Sequence, residues 1–423
     1  MLIMLDIRFI RENPKVIKAD LKKRGDNSKI ALVDEVIAED VSYREMLSKV
    51  EQLRHSRNTF SAEINKLRKE GKDIKKKLKE AKEIPEKIKK IEDKIAAVAL
   101  KIKDIRMRLP NILHESVPVG KDDSQNEVVR EVGKKGKYDF ELKSHGEWLE
   151  ERGQGDFKRA TKVSGAGFYF LKDKIALLDF ALQKFALDKL MKKGYIIVQP
   201  PFMIRREPYE GVTDLADFEN VMYKIDNDDL YLIATSEHAI GAMHMNETLD
   251  ELPIKYAGVS ACFRREIGSH GLDTRGLFRV HQFNKIEQFI FCRPEDSWKM
   301  HEELLANAEE IFKELELPYR VVNICTGDIG IVAAKKYDIE VWMPREKMYR
   351  EVVSCSNCTS YQAVRLNIKY MDGDKKEYVH TLNSTAIATS RALRAIIENC
   401  QQKDGTVIVP KVLVKYMNGV KKI

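Results

Sequence analysis

The feature that most limits what this chain can fold into is a seven-residue apolar repeat. Ile74, Ala81, Ile88, Ile95, Ile102 and Leu109 hold one register, Ile84, Ile91, Val98 and Ile105 hold a second, and Leu78 sits one place off it. A seam of that period stays buried only when a helix packs along another helix, and it is sustained for about five repeats. A looser stripe, Val33, Tyr43, Leu47, Val50, Phe60, Ile64 and Leu67, precedes it. The simplest partner is therefore the chain's own preceding helix, giving an antiparallel helical hairpin. Gly71 and the Ile84-Pro85 break compete as the turn. Arms of equal length, from about residue 29 to about residue 109, favour Gly71 and make Pro85 a kink, although a proline inside a helix costs about 3 kcal/mol. Before the hairpin, Asn13, Pro14 and Gly25 read as N-cap, first residue and stop signal of a small helix.

Charge suggests what the hairpin does. From Arg68 to Leu109 there are 16 Lys and Arg against 8 Asp and Glu, an excess equal to the +8 of the whole 423-residue chain. A basic rod on a neutral body suits nucleic-acid phosphates, with a solvated lysine-rich coil as the plain alternative. Aromatic residues are nearly absent from this stretch, which favours contact with the backbone of folded RNA over stacking on single-stranded bases. No run of about 18 apolar residues occurs, and the N-terminus lacks the apolar core and cleavage site of a signal peptide. A cytoplasmic protein is expected. Six scattered cysteines make no disulfide framework, and Cys355 with Cys358 is a lone CxxC, so zinc is not expected.

A chain of 423 residues can hold two or three domains. Between Asn111 and about Lys162 it is polar and Gly-rich, with PVGKDDSQNE as loop and GQGDFKRATKVSGAGFYF as a strand-poor connector. The expected division is 1–111 and 112–423. Lys172 to Gly194 then reads as an amphipathic helix closed by its glycine, followed by the buried strand YIIVQPPFM.

The chemistry concentrates in Ala261–Phe291, ACFRREIGSHGLDTRGLFRVHQFNKIEQFIF. Arg264 and Glu266, at i and i+2, leave one face of an extended strand. A glycine-rich turn returns the chain, and Arg279, His281, Phe283, Lys285 and Glu287 share a face of the second strand. Two arginines, two glutamates and an aromatic ring suit attack of a carboxylate on the α-phosphate of ATP, a step that needs positioning and charge stabilisation more than a protein nucleophile. Elsewhere, YLIATSEHAIGAMH sets Thr235 and Glu237 at a strand end by the same i, i+2 rule, and YREVVSCSN offers Glu351 and Ser354 as hard oxygen donors for magnesium. HTLNSTAIATSRALRAIIENCQ carries Asn383, Thr385 and Arg391 across a strand-to-helix passage.

The FRRE, HQF and Glu287 elements resemble motif 2 of the class II aminoacyl-tRNA synthetases, and in this wording the seryl-tRNA synthetase family. The 172–201 segment resembles motif 1, with Pro201 as its proline, and the segment through Arg391 resembles motif 3. The opening MLDIRFIRENP from Met4 looks more like the family's usual start than Met1 does. The resemblance covers almost the full length and implies an α+β protein: a catalytic domain with a mixed, mainly antiparallel sheet flanked by helices, behind an antiparallel helical-hairpin coiled coil. It implies a homodimer that joins L-serine to tRNA(Ser) at the expense of ATP, with Mg2+ on the phosphates and the basic arm gripping the tRNA. Whether tRNA(Sec) is also charged stays open. By the same likeness Arg264, Glu266 and Arg391 are catalytic, and serine is held by Thr235, Glu237, Arg264, Glu287, Asn383 and Thr385. ATP is held by Arg264, Arg265, Glu266, Arg279, Val280, Phe283, Glu351, Val352, Val353, Ser354 and Arg391, and the metal by Glu351 and Ser354.

Two departures stand out. Many family members read GSG where this chain has Ser384-Thr385-Ala386, and Arg391 follows Ser390 instead of glycine. Thr385 keeps a hydroxyl for the substrate hydroxyl, and a site built to bond a hydroxyl rejects an analogue lacking it. Excluding threonine rests on crowding one methyl, worth ~1 to 3 kcal/mol. A class II relative activating another small amino acid, and an inactive RNA-binding paralogue, are the alternatives.

Overall fold

Gly71 ends one long helix and opens the next. In the computed structural model, which describes residues 6–214, 219–266 and 276–423, helices Ile30–Lys69 and Lys75–Arg108 form the two arms. Gly71 adopts φ +70°, Lys72 N donates to Leu67 O at 3.0 Å and Gly71 N to Arg68 O at 3.4 Å, the paired bonds of a Schellman cap. The helix runs unbroken through Pro85, and Ile84, Ile88, Ile102 and Ile105 are its buried residues. Val50, Ile84 and Ile88 pack together, with Leu53, Phe60, Ile91 and Ile95 against them. Cross-arm pairs such as Arg54–Glu92 (2.8 Å) and Lys101–Glu39 (2.7 Å) set register but are exposed and add little stability. The looser stripe was partly misread: Val33 and Val50 are buried, but Leu47 is 39% exposed, and Val36 and Asp40 take the inward places. Asp40 is held by Arg11 at 2.9 Å and Arg44 at 3.0 Å. Asn13 precedes helix Pro14–Lys23 as expected, yet its side chain donates back to Phe9 O at 3.3 Å instead of capping.

The chain divides into two units, Met1–Pro110 and Asn111–Ile423. Asn111 is fully buried in the second, donating to Val332 O at 2.9 Å and Cys358 O at 2.8 Å. That unit is built on eight strands: β1 Glu127–Val132, β2 Ile196–Val198, β3 Ile254–Phe263, β4 Gln282–Cys292, β5 Tyr319–Asn323, β6 Lys335–Met343, β7 Met348–Thr359 and β8 His380–Ala388. They lie in the order β1-β5-β6-β7-β8-β4-β3-β2. Every pair is antiparallel except β2 with β3, so the sheet is mixed and mainly antiparallel. The sequence reading missed β1, which lies within the polar stretch between Asn111 and about Lys162, starting where the segment read as loop ends. It is a polar edge strand exposed along nearly its whole length, so it carries no burial alternation to detect. The same polar stretch forms helix His145–Glu151, and the segment read as connector forms helix Phe157–Ser164.

The two faces of the sheet differ in chemistry. On one, helices Asp173–Lys192, Ser297–Glu314 and Thr389–Asn399 bring Leu182, Phe185, Ile311, Phe312, Leu393 and Ile396 against Ile286, Ile290, Ile339, Val353 and Leu382. The other is polar toward its middle. It is roofed at one end by helices Arg206–Val212, Ser236–Ala242 and Tyr361–Leu366, whose Tyr209, Val212, Ile240 and Ala363 pack with Phe289 and Phe291.

Helix Thr389–Asn399, which begins beside Arg391, also carries the fully buried Arg394. Its Nε donates to Glu398 Oε1 at 3.0 Å, a second guanidinium nitrogen meets Glu346, and His145 Nδ1 lies 3.0 Å from the same Glu398 oxygen. Removing one member of a buried ion pair strands the others. Glu398→Ala should therefore cost about 3 to 5 kcal/mol in urea unfolding; a loss below about 1 kcal/mol would show that the network is not a structural anchor.

Candidate active site

Strands β3 and β4 form a hairpin in register Phe263↔Gln282 through Gly258↔Glu287 to Ile254↔Phe291. Arg264 N extends the ladder by donating to His281 O at 2.9 Å. The strand itself stops at Phe263, and Glu266 takes φ +45°, so the i, i+2 rule is not what brings Arg264 and Glu266 together. Both line one cleft because the backbone curls there. Residues 267–275 of the intervening loop lie outside the described residues.

Thr235 and Glu237 need a similar correction. The strand before them is only Tyr231–Leu232, and Thr235 is the N-cap of helix Ser236–Ala242, its hydroxyl accepting from Glu237 N at 3.2 Å. Glu237 thus projects from a helix, not a strand. That helix lies flat on the sheet because Gly258 beneath it has no side chain: a Cβ there would come within 2.5 Å of Ser236 Oγ and 2.6 Å of Ile240. Gly258 is the register partner of Glu287, so this close approach brings Glu237 to the strand pair that carries Glu287.

On the central strands, local irregularities choose the face. β7 shifts register against β6 between the pairs Ile339↔Val353 and Glu340↔Glu351, leaving Val352 as the extra residue. Without that bulge Glu351 and Ser354 would leave opposite faces; with it, both reach the same recess. Val352 and Val353 are buried, and Val353 belongs to the core. Asn383 and Thr385 alternate properly on β8, with Thr385 opposite Glu287. Arg391, in the first turn of Thr389–Asn399, donates through Nη1 to Glu351 O at 3.0 Å and Oε1 at 3.1 Å.

The result is a cleft of about 440 Å³ adjoining a recess of about 140 Å³, the two sharing Thr235, Glu237, Arg264, Ser354 and Asn383. The recess adds Phe283, Lys285, Glu287, Glu351, Val352, Thr385 and Arg391. Glu266 lines the cleft. Arg265 and Arg279 are exposed and line neither cavity, and Val280 is buried with Cys262, Phe283 and Ala388. Arg264 sits 5.3 Å from the centre of the Phe283 ring. Lys336, His238, Ser356 and Cys358, which the sequence reading did not select, also line the cleft. Lys336 had a readable signal: with Asp338, 3.2 Å away, it forms an oppositely charged i, i+2 pair on one face of its strand. His238 and Cys358 had none.

Charge is segregated within this space. Burial and the nearby Glu287 push Glu237 up to about 7, and burial also raises Glu287 against the opposing Lys285 and Arg264. Lys285 pairs directly with Glu287, both inside. Burial would raise Glu351 too, but Arg391, Lys336 and Arg264 outweigh it and hold the group below the usual range. Burial, then Lys285 and Arg264, lowers His238 to about 3, so it is neutral. Two glutamates that burial disfavours as anions are poised for an incoming cation, and Arg264, Arg391 and Lys336 offer a polyanion its counter-charge. Cys355 faces the core and Cys358 the cleft, both with thiols pushed up by burial.

Residues 220–400 match the family model of the class II tRNA synthetase core domain (G, H, P, S and T), and residues 4–113 that of the seryl-tRNA synthetase N-terminal domain. Fold, cleft and matched core define a class II aminoacyl-tRNA synthetase. The chain is 63% identical over 422 residues to the serine–tRNA ligase of Methanocella arvoryzae, covering 99% of each. It is similar over 99% of both chains, at 51% identity and TM-score 0.93, to the crystal structure of seryl-tRNA synthetase from Pyrococcus horikoshii complexed with ATP. The Naegleria fowleri cytoplasmic serine–tRNA ligase in complex with AMP gives 0.88 at 39% identity, covering 99% of this chain and 98% of that one. The chain belongs to the seryl-tRNA synthetase family.

Because Glu237 is held above its ordinary 4.5, the folded protein binds an extra proton between there and about pH 7. Stability therefore falls as pH rises through that window. Glu237→Gln removes the penalty, and should gain on wild type by on the order of 1 to 3 kcal/mol between about pH 5 and about pH 8 in urea unfolding. A pH-independent difference would contradict the burial of this carboxylate.

Proposed function

We propose that this chain is a serine–tRNA ligase, activating L-serine with ATP and passing the seryl group to tRNA(Ser). The observation that carries the reading is the convergence of Thr235, Glu237, Arg264, Glu287, Asn383, Thr385 and Arg391 on one recess. In the first step a serine carboxylate oxygen bonds to the α-phosphorus as the bond to pyrophosphate breaks. Arg264 sits where it can hold both anions, and its guanidinium stabilises the charge gathering on phosphate oxygens. Glu237 and Glu287 take the serine ammonium, and the Thr385 hydroxyl, backed by Asn383, bonds the serine hydroxyl. Phe283 offers a face to the adenine, Arg391 meets the far phosphates and Glu266 borders the nucleotide from the cleft, while Arg265, Arg279 and Val280, which line neither cavity, are assigned to the nucleotide by the motif 2 likeness alone. In the second step a hydroxyl of the tRNA's terminal ribose attacks the seryl carbonyl and AMP leaves.

The donor set fits magnesium, a hard cation that takes carboxylate and hydroxyl oxygens and keeps ligands from phosphate and water. Glu351 and Ser354, brought to one face by the Val352 bulge, would hold it. When bound, it neutralises charge on the bridging phosphates.

The basic hairpin is the reading's tRNA grip, supported by its charge excess. A homodimer through the motif 1 region is supported by apolar surface around edge strand β2 and its neighbouring helix, where Phe180 is 66%, Ile196 56% and Met191 53% exposed. No described helix is long and apolar enough to cross a membrane; the cytoplasmic location is part of the proposal.

Amino-acid-dependent ATP–pyrophosphate exchange across the twenty amino acids tests the reading: serine alone should support exchange, and exchange with a different amino acid would refute it. Arg264→Ala should lower the serine-dependent rate by roughly 100-fold or more with folding intact. Replacing Lys75, Lys76, Lys77 and Lys79 with Gln should weaken tRNA charging while leaving exchange unchanged; undiminished charging would remove the arm from tRNA binding.

A further inference from the structure

We propose that Gln362 is a positioning residue for the amino-acid substrate: with Asn383 it pins one oxygen of Glu237, so that the other is presented to the recess where the substrate ammonium binds. The inference rests on the function proposed above.

Gln362 lies in the short helix Tyr361–Leu366 and is fully buried, away from the segments that the motifs cover. Its Nε2 donates to Val212 O at 3.0 Å and to Glu237 Oε1 at 3.0 Å, while its Oε1 accepts from Thr381 Oγ1 at 2.7 Å. A backbone carbonyl can only accept, so the amide must turn its NH2 toward Val212, and the second proton of that nitrogen then points at Glu237. Asn383 Nδ2 reaches the same Glu237 oxygen at 3.0 Å. Two amides thus converge on Oε1. Oε2 takes no hydrogen bond among the described residues, and Glu237 lines both cavities. A carboxylate with one oxygen doubly bonded to fixed donors has lost its rotational freedom. The open oxygen is an acceptor aimed in advance at an N–H donor.

The arrangement also keeps an acceptor where burial opposes one. Glu237 faces Glu287 and Lys285 from β4, Arg264 from the end of β3, His238 on its own helix, Tyr209 from Arg206–Val212 and Cys358 from β7. Burial and Glu287 favour its protonated form, while Lys285, the Gln362 bond and Arg264 favour the anion. Gln362 is the neutral member of that second group, so removing it changes no charge.

Gln362→Met keeps the length of the side chain and deletes both donors. In exchange assays at about pH 7 the serine KM should rise roughly 10- to 100-fold, with the ATP KM within about twofold of wild type. The acid limb of kcat/KM for serine should move to higher pH. Thr381→Val, which leaves the amide in place but releases its oxygen, should raise the serine KM in the same direction by a smaller factor and guards against a Gln362 variant that fails to fold. Thermal unfolding supplies an arm that needs no substrate: the Tm gap between wild type and Gln362→Met should widen from about pH 5.5 to about pH 8, because the donor lost to Glu237 bonds the anion more strongly than the acid, whereas the bond lost to Val212 O is the same at every pH. An unchanged serine KM, or parallel losses for serine and ATP with a pH-independent Tm gap, would overturn the proposal and leave Gln362 as packing. If wild type activates some other amino acid, the functional reading fails by itself, and the pH dependence of the gap still decides the role of Gln362.

Discussion

The catalytic unit depends on one awkward requirement: the middle of a large sheet must be polar on one face, although its side chains there are largely buried. Lys285 and Glu287 lie almost wholly inside, as do Asp338, Asn383 and Thr385. Isolated charges in such a place are costly, and the sheet tolerates them by pairing: Lys285 with Glu287, Lys336 with Asp338, Arg391 with Glu351. The same pairs give the site its function, because each places a cation or an anion at a fixed point of a partly dehydrated space. Stability and chemistry therefore draw on the same side chains.

How those side chains meet is decided by small departures from regular structure. A missing Cβ at Gly258 lets helix Ser236–Ala242 settle on the strand that pairs with Glu287. One extra residue at Val352 turns Glu351 and Ser354 to the same side. A curl after Phe263 carries Arg264 and Glu266 into the cleft. In each case regular alternation gives way where the reacting groups must converge, which is where bulges and unusual backbone conformations concentrate. The separation of charge follows: acids deep against the helix, bases where a polyanion would lie.

The helical hairpin was legible in detail. Its turn at Gly71 followed from arm length, and the continuous helix through Pro85 followed from the seven-residue spacing across it. A long periodic segment reports its own burial, because every turn repeats the evidence. Edge strand β1 gave no such report, being exposed, and the Arg394–Glu398 pair was hidden in a helix that otherwise reads as apolar. Motif likeness named residues that the fold brings together, yet two arguments for why they converge were wrong, since Thr235 caps a helix and Glu266 lies beyond the strand end. Arg279, chosen in the same way, is exposed and outside both cavities.

Periodicity, charge and residue type are properties of contiguous chain, so the sequence by itself determined the two-part organisation, the basic arm and the inventory of phosphate-binding and acidic side chains. Which of them share a space depends on register shifts and on contacts between residues far apart, such as Gln362 with Glu237 and Gly258 with Ser236. No local pattern encodes those meetings. They exist only once eight strands have chosen their order and a helix has settled on a strand position bare enough to receive it.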